Sequence, residues 1–134
     1  MQRGGKASSV EKVPVVSIID DDESVRAATQ CLVRSLGLKA LTFASAEEFL
    51  LSPYVDETSC VIADVQMARM SGLDLQDRLR AGGRATPMIF VTAYPEEKLK
   101  ARALEAGAVC FLSKPFDTRV LIDNLNKALA TGGK

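Results

Sequence analysis

The sequence has 134 residues, 47% hydrophobic and 25% charged, which fits one globular domain with its own core and leaves little room for a second. Its 17 basic residues balance its 17 acidic ones, so there is no basic stripe of the kind that binds nucleic acid directly. It contains no histidine, which excludes a histidine triad, a His-ligated metal and a phosphohistidine carrier.

Residues 1–12 are polar with Gly and Ser, and read as a flexible tail. The apolar run that follows is too short to span a membrane, and it meets three aspartates rather than a small-residue cleavage site. That run, 15–19, is β-branched and of strand length. A helix follows with Val25, Thr29, Leu32, Val33 and Leu36 on one face and Gly37 as its stop. Residues 38–43 read as the second strand. Ser45 starts a short helix with Glu48 in capping-box spacing and Ala46, Phe49 and Leu50 on its apolar side.

The third strand is expected at 59–63. A helix then opens at Ser71 with Asp74, carrying Leu75 and Leu79 inward. Residues 87–91 form the fourth strand, and Pro95 suits the first turn of the next helix. Leu99, Ala103 and Ala106 are its inner face and Gly107 its stop. The fifth strand covers 109–112. Asp117 caps a last helix with Val120, Leu121, Leu125, Ala128 and Leu129 on its apolar face, and 131–134 read as a second tail. Short apolar strands alternating with amphipathic helices predict a parallel sheet covered on both faces. The three cysteines, Cys31, Cys60 and Cys110, have no metal-binding spacing and read as small buried hydrophobes in a reducing cytoplasm.

The polar residues with chemistry fall at strand C-termini: Asp20, Asp21 and Asp22 after strand one, Asp64 after strand three, Thr92 after strand four and Lys114 after strand five. In open α/β sheets that edge is where ligands bind. Clustered carboxylates repel, so they must protonate or hold a cation, and oxygen donors of this kind suit magnesium. A lysine and a hydroxyl could then bind the free oxygens of a phosphoryl group, with an aspartate as nucleophile. Taken singly, each residue also has a plain reading as a helix cap, a loop aspartate, a strand-end hydroxyl or a solvated lysine. Their joint placement favours the site.

The segments 18–26, 63–67 with Met70-Ser71-Gly72, 90–93, 107–108 and 111–116 together resemble the receiver domains of two-component response regulators, of the CheY-like superfamily, in detail those of the FixJ type. The resemblance covers residues 13–130 and implies a doubly wound, flavodoxin-like α/β fold, with five parallel strands in the order 2-1-3-4-5 and five helices. It implies Asp64 as phosphoacceptor; Asp20, Asp21, Asp64 and the backbone carbonyl of Gln66 as ligands of Mg2+ or Mn2+; and Thr92, Lys114 and Phe111 as phosphoryl-binding and switch residues. Gln66 and Tyr94 fall where phosphoryl lifetime is tuned, and Pro115 follows a peptide that is often cis. The usual proline after the loop methionine is here Ala68, which loosens the loop because alanine does not fix φ.

The resemblance further implies a sensor histidine kinase as partner and a signalling switch, not an enzyme in the usual sense. It implies a C-terminal DNA-binding output domain beyond this sequence, or a single-domain regulator. A weak homodimer on phosphorylation is expected through the face of helix four, strand five and helix five, using Lys98, Arg102, Asp117, Arg119 and Asp123. Two other classes fit less well. A haloacid-dehalogenase-type hydrolase wants its nucleophilic aspartate on strand one, and a flavodoxin-like module wants a Gly/Ser/Thr loop where this chain has aspartates.

Overall fold

The computed structural model describes residues 13–132. The elements run β1 (Val15–Ile19), α1 (Glu23–Ser35), β2 (Lys39–Phe43), α2 (Ala46–Leu51), β3 (Cys60–Asp64), α3 (Gly72–Ala81), β4 (Met88–Thr92), α4 (Glu97–Glu105), β5 (Cys110–Ser113) and α5 (Thr118–Gly132). All strand pairings are parallel, in the order β2-β1-β3-β4-β5. This is the doubly wound α/β fold that the alternating pattern and the resemblance imply.

Both faces of the sheet are covered, which is why the strands are apolar at nearly every position rather than at every second one. Val16, Ile18, Ile62, Ile89 and Val91 pack with Val33 of α1 and Leu121, Leu125 and Ala128 of α5. Ile19, Val61, Ala63, Met88 and Phe90 pack on the other face with Phe49 of α2, Leu73, Leu75 and Leu79 of α3, and Ala103 of α4. Phe43 and Phe49 meet edge to face, with centroids 5.3 Å apart. The one polar residue inside β1, Ser17, is satisfied by the Thr58 hydroxyl at 2.7 Å.

Four strands begin one residue later than their apolar runs. The flanking residues still bond across the sheet: Ser59 N donates to the Val15 carbonyl and Val109 N to that of Met88. Gly37 and Gly107 have φ of +83° and +102°, the left-handed helix-ending conformation that glycine adopts without strain. Ser71 and Asp74 form a complete capping box. At α2 the box is displaced: Ser45 Oγ accepts from Glu48 N, but the Glu48 carboxylate accepts from Ala44 N, one residue before the cap.

Other local expectations need correction. Pro95 precedes the cap residue Glu96 and so lies outside α4. Val120 and Leu36 are partly exposed, because α5 and α1 bury narrower stripes than their apolar residues outline. Cys31 is exposed, while Cys60 is buried and Cys110 half-buried. Cys31 lies between the buried Thr29 and Val33, on the opposite side of the α1 turn. Helix α5 runs through Gly132, two residues into the segment read as a tail. The expected tail 1–12 lies outside the described residues. No helix among the described residues is long and apolar enough to cross a membrane.

Candidate functional site at the C-terminal edge of the sheet

Parallel register brings the strand ends to one edge. Ile19 pairs with Ala63, Asp64 with Val91, and Thr92 with Ser113. Asp20, Asp64, Thr92 and Lys114 therefore emerge side by side although up to 94 residues separate them. Lys114 Nζ donates to Asp20 Oδ2 at 3.0 Å and to Asp64 Oδ2 at 3.1 Å, so one ammonium lies between two buried carboxylates. Asp20, Asp21 and Asp64 can each place a carboxylate oxygen within 4.8 Å of the others. Three hard oxygen donors converging this closely suit a small divalent cation such as Mg2+ or Mn2+. Asp21, exposed and without a hydrogen-bond partner among the described residues, keeps both oxygens available.

Asp22 does not join this cluster. Its carboxylate accepts from Ser24 N and Val25 N, and it is the N-cap of α1. The aspartate run thus divides its labour: Asp20 and Asp21 face the site and Asp22 starts the helix. Asp20 also accepts from Asp22 N, and the Arg26 guanidinium donates to the Asp20 carbonyl at 2.7 Å. Nothing in the sequence marks that positioning contact, because it depends on the direction the Arg26 side chain takes from α1.

Burial and the neighbouring Asp20 charge push the Asp64 carboxyl above its ordinary range. The Gln66 N–H, which donates to Asp64 Oδ1 at 3.1 Å, and the Lys114 ammonium act against that rise without cancelling it. Burial pulls Lys114 down, but its hydrogen bonds and charge pairing with Asp20 and then Asp64 outweigh this and raise it. The site is therefore a carboxylate reluctant to ionise beside an ammonium reluctant to lose its proton.

The Asp64 loop is tightly folded. Gly72 N donates to the Val65 carbonyl, and a β-carbon on Gly72 would lie 2.5 Å from the Asp64 carbonyl oxygen. Only glycine fits there, so Gly72 is part of the site's architecture. Arg69 has φ of +67°, in the left-handed region. Gln66 is exposed.

Thr92 is fully buried, and its hydroxyl accepts from Tyr94 N at 3.1 Å, while Tyr94 itself is 70% exposed. Phe111 pairs with Phe90, two positions back along β5 from the partner of Thr92, so it shares that face with Thr92 and is half-buried against the α4 side of the core. The Lys114–Pro115 peptide is cis. Arg102, read as a free charge for a dimer face, bonds Asp77 at 2.7 Å and lies 4.0 Å from Asp74, both on α3. The Asp117 carboxylate accepts from Arg119 N at the start of α5.

Comparison with known proteins accords with this architecture. Nodulation protein W of Bradyrhizobium diazoefficiens is 40% identical over 121 residues, covering 90% of this chain and 53% of that protein. The response regulator protein TodT of Pseudomonas putida is 39% identical over 119 residues, covering 89% and 52%. The transcriptional regulatory protein FixJ of Azorhizobium caulinodans is 35% identical, covering 89% and 56%. The chain thus spans just over half the length of these relatives. The solved structure of the response regulator StyR superposes with a TM-score of 0.85 at 36% identity, covering 91% of this chain and 62% of that one. FixJ-N gives 0.79 at 29% identity, covering 89% and 95%. Residues 16–126 match the response regulator receiver domain family, and with the sheet order and the acidic edge this establishes that the chain belongs to that family, the switch module of two-component signalling.

Proposed function

We propose that Asp64 is the phosphoacceptor of this receiver domain. The observation that carries the reading is the Lys114 ammonium between Asp20 and Asp64, with Asp21 beside them, at the carboxyl edge of the sheet. A carboxylate oxygen of Asp64 forms the new O–P bond as the P–N bond of a sensor kinase's phosphohistidine breaks. A divalent cation, Mg2+ or Mn2+, held by Asp20, Asp21, Asp64 and the Gln66 carbonyl, would offset the negative charge of the approaching group. Lys114 and the Thr92 hydroxyl supply the chain's own contacts to the phosphoryl oxygens. Thr92 Oγ1 accepts from Tyr94 N and keeps its own O–H to donate to a phosphoryl oxygen; a movement of Thr92 toward that oxygen vacates space beside Phe111.

The test is uptake of one phosphoryl group from acetyl phosphate, read by intact mass. Uptake is expected with magnesium or manganese and not with a chelator present; metal-independent uptake overturns the metal assignment.

The Tyr94 ring projects from the residue whose N–H holds Thr92. On this reading Tyr94 screens the phosphoryl group from water, and Gln66 is the second residue that tunes its lifetime. Tyr94→Ala is expected to shorten the lifetime of the phosphorylated state severalfold; decay at the wild-type rate or slower removes this role.

The output face is formed by α4, β5 and α5, acting in the cytoplasm on a DNA-binding output domain or a separate partner, and phosphorylation shifts a two-state equilibrium of that face. With Arg102 engaged by α3, Lys98 against Asp117 and Asp123 is the remaining complementarity for a weak dimer. Light scattering with and without a beryllofluoride mimic is expected to show a concentration-dependent mass increase with the mimic alone. An unchanged mass refutes the dimer.

A further inference from the structure

We infer that Glu47, on α2, is a positioning residue for phosphoryl acceptance: its carboxylate holds the β3–α3 loop, and with it the Gln66 backbone, in working position against Asp64. This rests on the reading of Asp64 as a metal-dependent acceptor.

Glu47 Oε2 accepts from Met70 N at 3.2 Å, across 23 residues. The other bonds that fold this loop are local or main-chain: Gln66 N to Asp64, Ser71 N to Asp74, Gly72 N to the Val65 carbonyl, and Val65 N to the Val91 carbonyl. Among the described residues, Glu47 is thus the one side chain besides Asp64 itself, outside the loop and α3, that accepts a hydrogen bond from the loop backbone. The grip falls next to Arg69, whose left-handed φ is the loop's least favourable backbone conformation. Alanine at position 68 does nothing to fix the chain there.

The simpler account, that Glu47 serves its own helix, does not fit. Ser45 caps α2, and Glu48 supplies the carboxylate that accepts from Ala44 N. Glu47 also carries a cost: its Oε1 is buried without a hydrogen-bond partner. A carboxylate held half-satisfied needs a reason, and among the described residues its one hydrogen bond is with the phosphoacceptor loop.

The test compares Glu47→Ala, Glu47→Asp and Glu47→Gln with the wild type in acetyl phosphate uptake across a magnesium series, with magnesium affinity measured in parallel by calorimetry. Outer contacts that orient ligands typically change metal affinity by about tenfold or more when removed. Glu47→Ala is therefore expected to raise the half-saturating magnesium concentration about tenfold while the rate at saturating magnesium changes little. Glu47→Asp keeps the charge but is one carbon shorter, and is expected to follow Glu47→Ala. Glu47→Gln keeps an acceptor oxygen at full reach and is expected to restore the wild-type value.

A wild-type magnesium response in Glu47→Ala overturns the inference while leaving Asp64 as acceptor. Glu47→Gln as impaired as Glu47→Ala also overturns it, since charge rather than the Met70 bond would then matter. If Glu47→Ala does not fold, the Asp and Gln pair decides alone. Absence of uptake in the wild type overturns the acceptor reading and this inference together.

Discussion

Asp64→Asn is expected to abolish phosphoryl uptake from acetyl phosphate and, in metal-free buffer at neutral pH, to raise thermal stability. The first effect follows from chemistry: the amide lacks the anionic oxygen that must form the O–P bond. The second follows from linkage. Burial and the charge of Asp20 raise the Asp64 pKa in the folded state. A carboxyl whose folded pKa lies above its unfolded one binds its proton more tightly when folded. Its ionised form therefore costs stability, and the cost appears as pH rises from the ordinary carboxylate range through the raised folded value. The neutral amide removes that cost and leaves Lys114 paired with Asp20. The expected result is complete loss of the mass adduct, together with a melting temperature above wild type at pH 7 and a difference that shrinks as pH falls below the ordinary aspartate range. A surviving adduct in Asp64→Asn removes Asp64 as acceptor. An unchanged or lowered melting temperature at pH 7 shows that the Lys114 contact outweighs the repulsion.

Lys114→Met has the opposite sign on stability. Lys114 Nζ contacts both Asp20 and Asp64, whose side chains are only 2% and 9% exposed. Removing one member of a buried charge group strands the others, at a typical cost of about 3 kcal/mol. The variant is expected to lose about that much stability at pH 7 without metal. Part of the loss should return as the pH falls and Asp64 takes up a proton, and part on adding magnesium. Wild type and variant also part at alkaline pH. The raised Lys114 pKa means its stabilising contribution is complete below the ordinary lysine value and is lost as pH rises through the folded one. Chemical denaturation across pH reads all of this. Equal stability with an unchanged pH slope would show that solvent, not Lys114, compensates the two aspartates.

The sequence made the strand-end residues legible because parallel strands align their carboxyl ends, and the apolar runs mark where each strand stops. Asp20, Asp64, Thr92 and Lys114 could be placed at one edge without coordinates for that reason. What stayed hidden depends on side-chain direction. Asp22 looks identical to Asp20 and Asp21 in the sequence, yet the turn into α1 points it at Ser24 N and Val25 N. Arg102 looks like a free surface charge until α3 is seen beside it. Glu47 and Glu48 are adjacent and chemically the same, and only the geometry of α2 sends one to the acceptor loop and the other to the helix start. The Gly72 position shows as part of a short motif, but its cause, a backbone oxygen where a β-carbon would stand, belongs to the folded chain.

The unequal burial of the cysteines has a practical side. Burial pushes the Cys60 thiol up to about 12, and burial pushes Cys110 up to about 11 against the opposing charge of Lys127. Near neutral pH both are almost entirely protonated, and the thiolate is the reacting species. Cys31 stands exposed on the outer side of α1. Toward a thiol-specific dye the folded protein therefore behaves as a single-thiol molecule without any engineering. A probe at Cys31 would sit on the outer side of the helix that begins at the Asp22 cap, roughly two to three turns beyond the acidic run, and would mark the protein without touching the site residues.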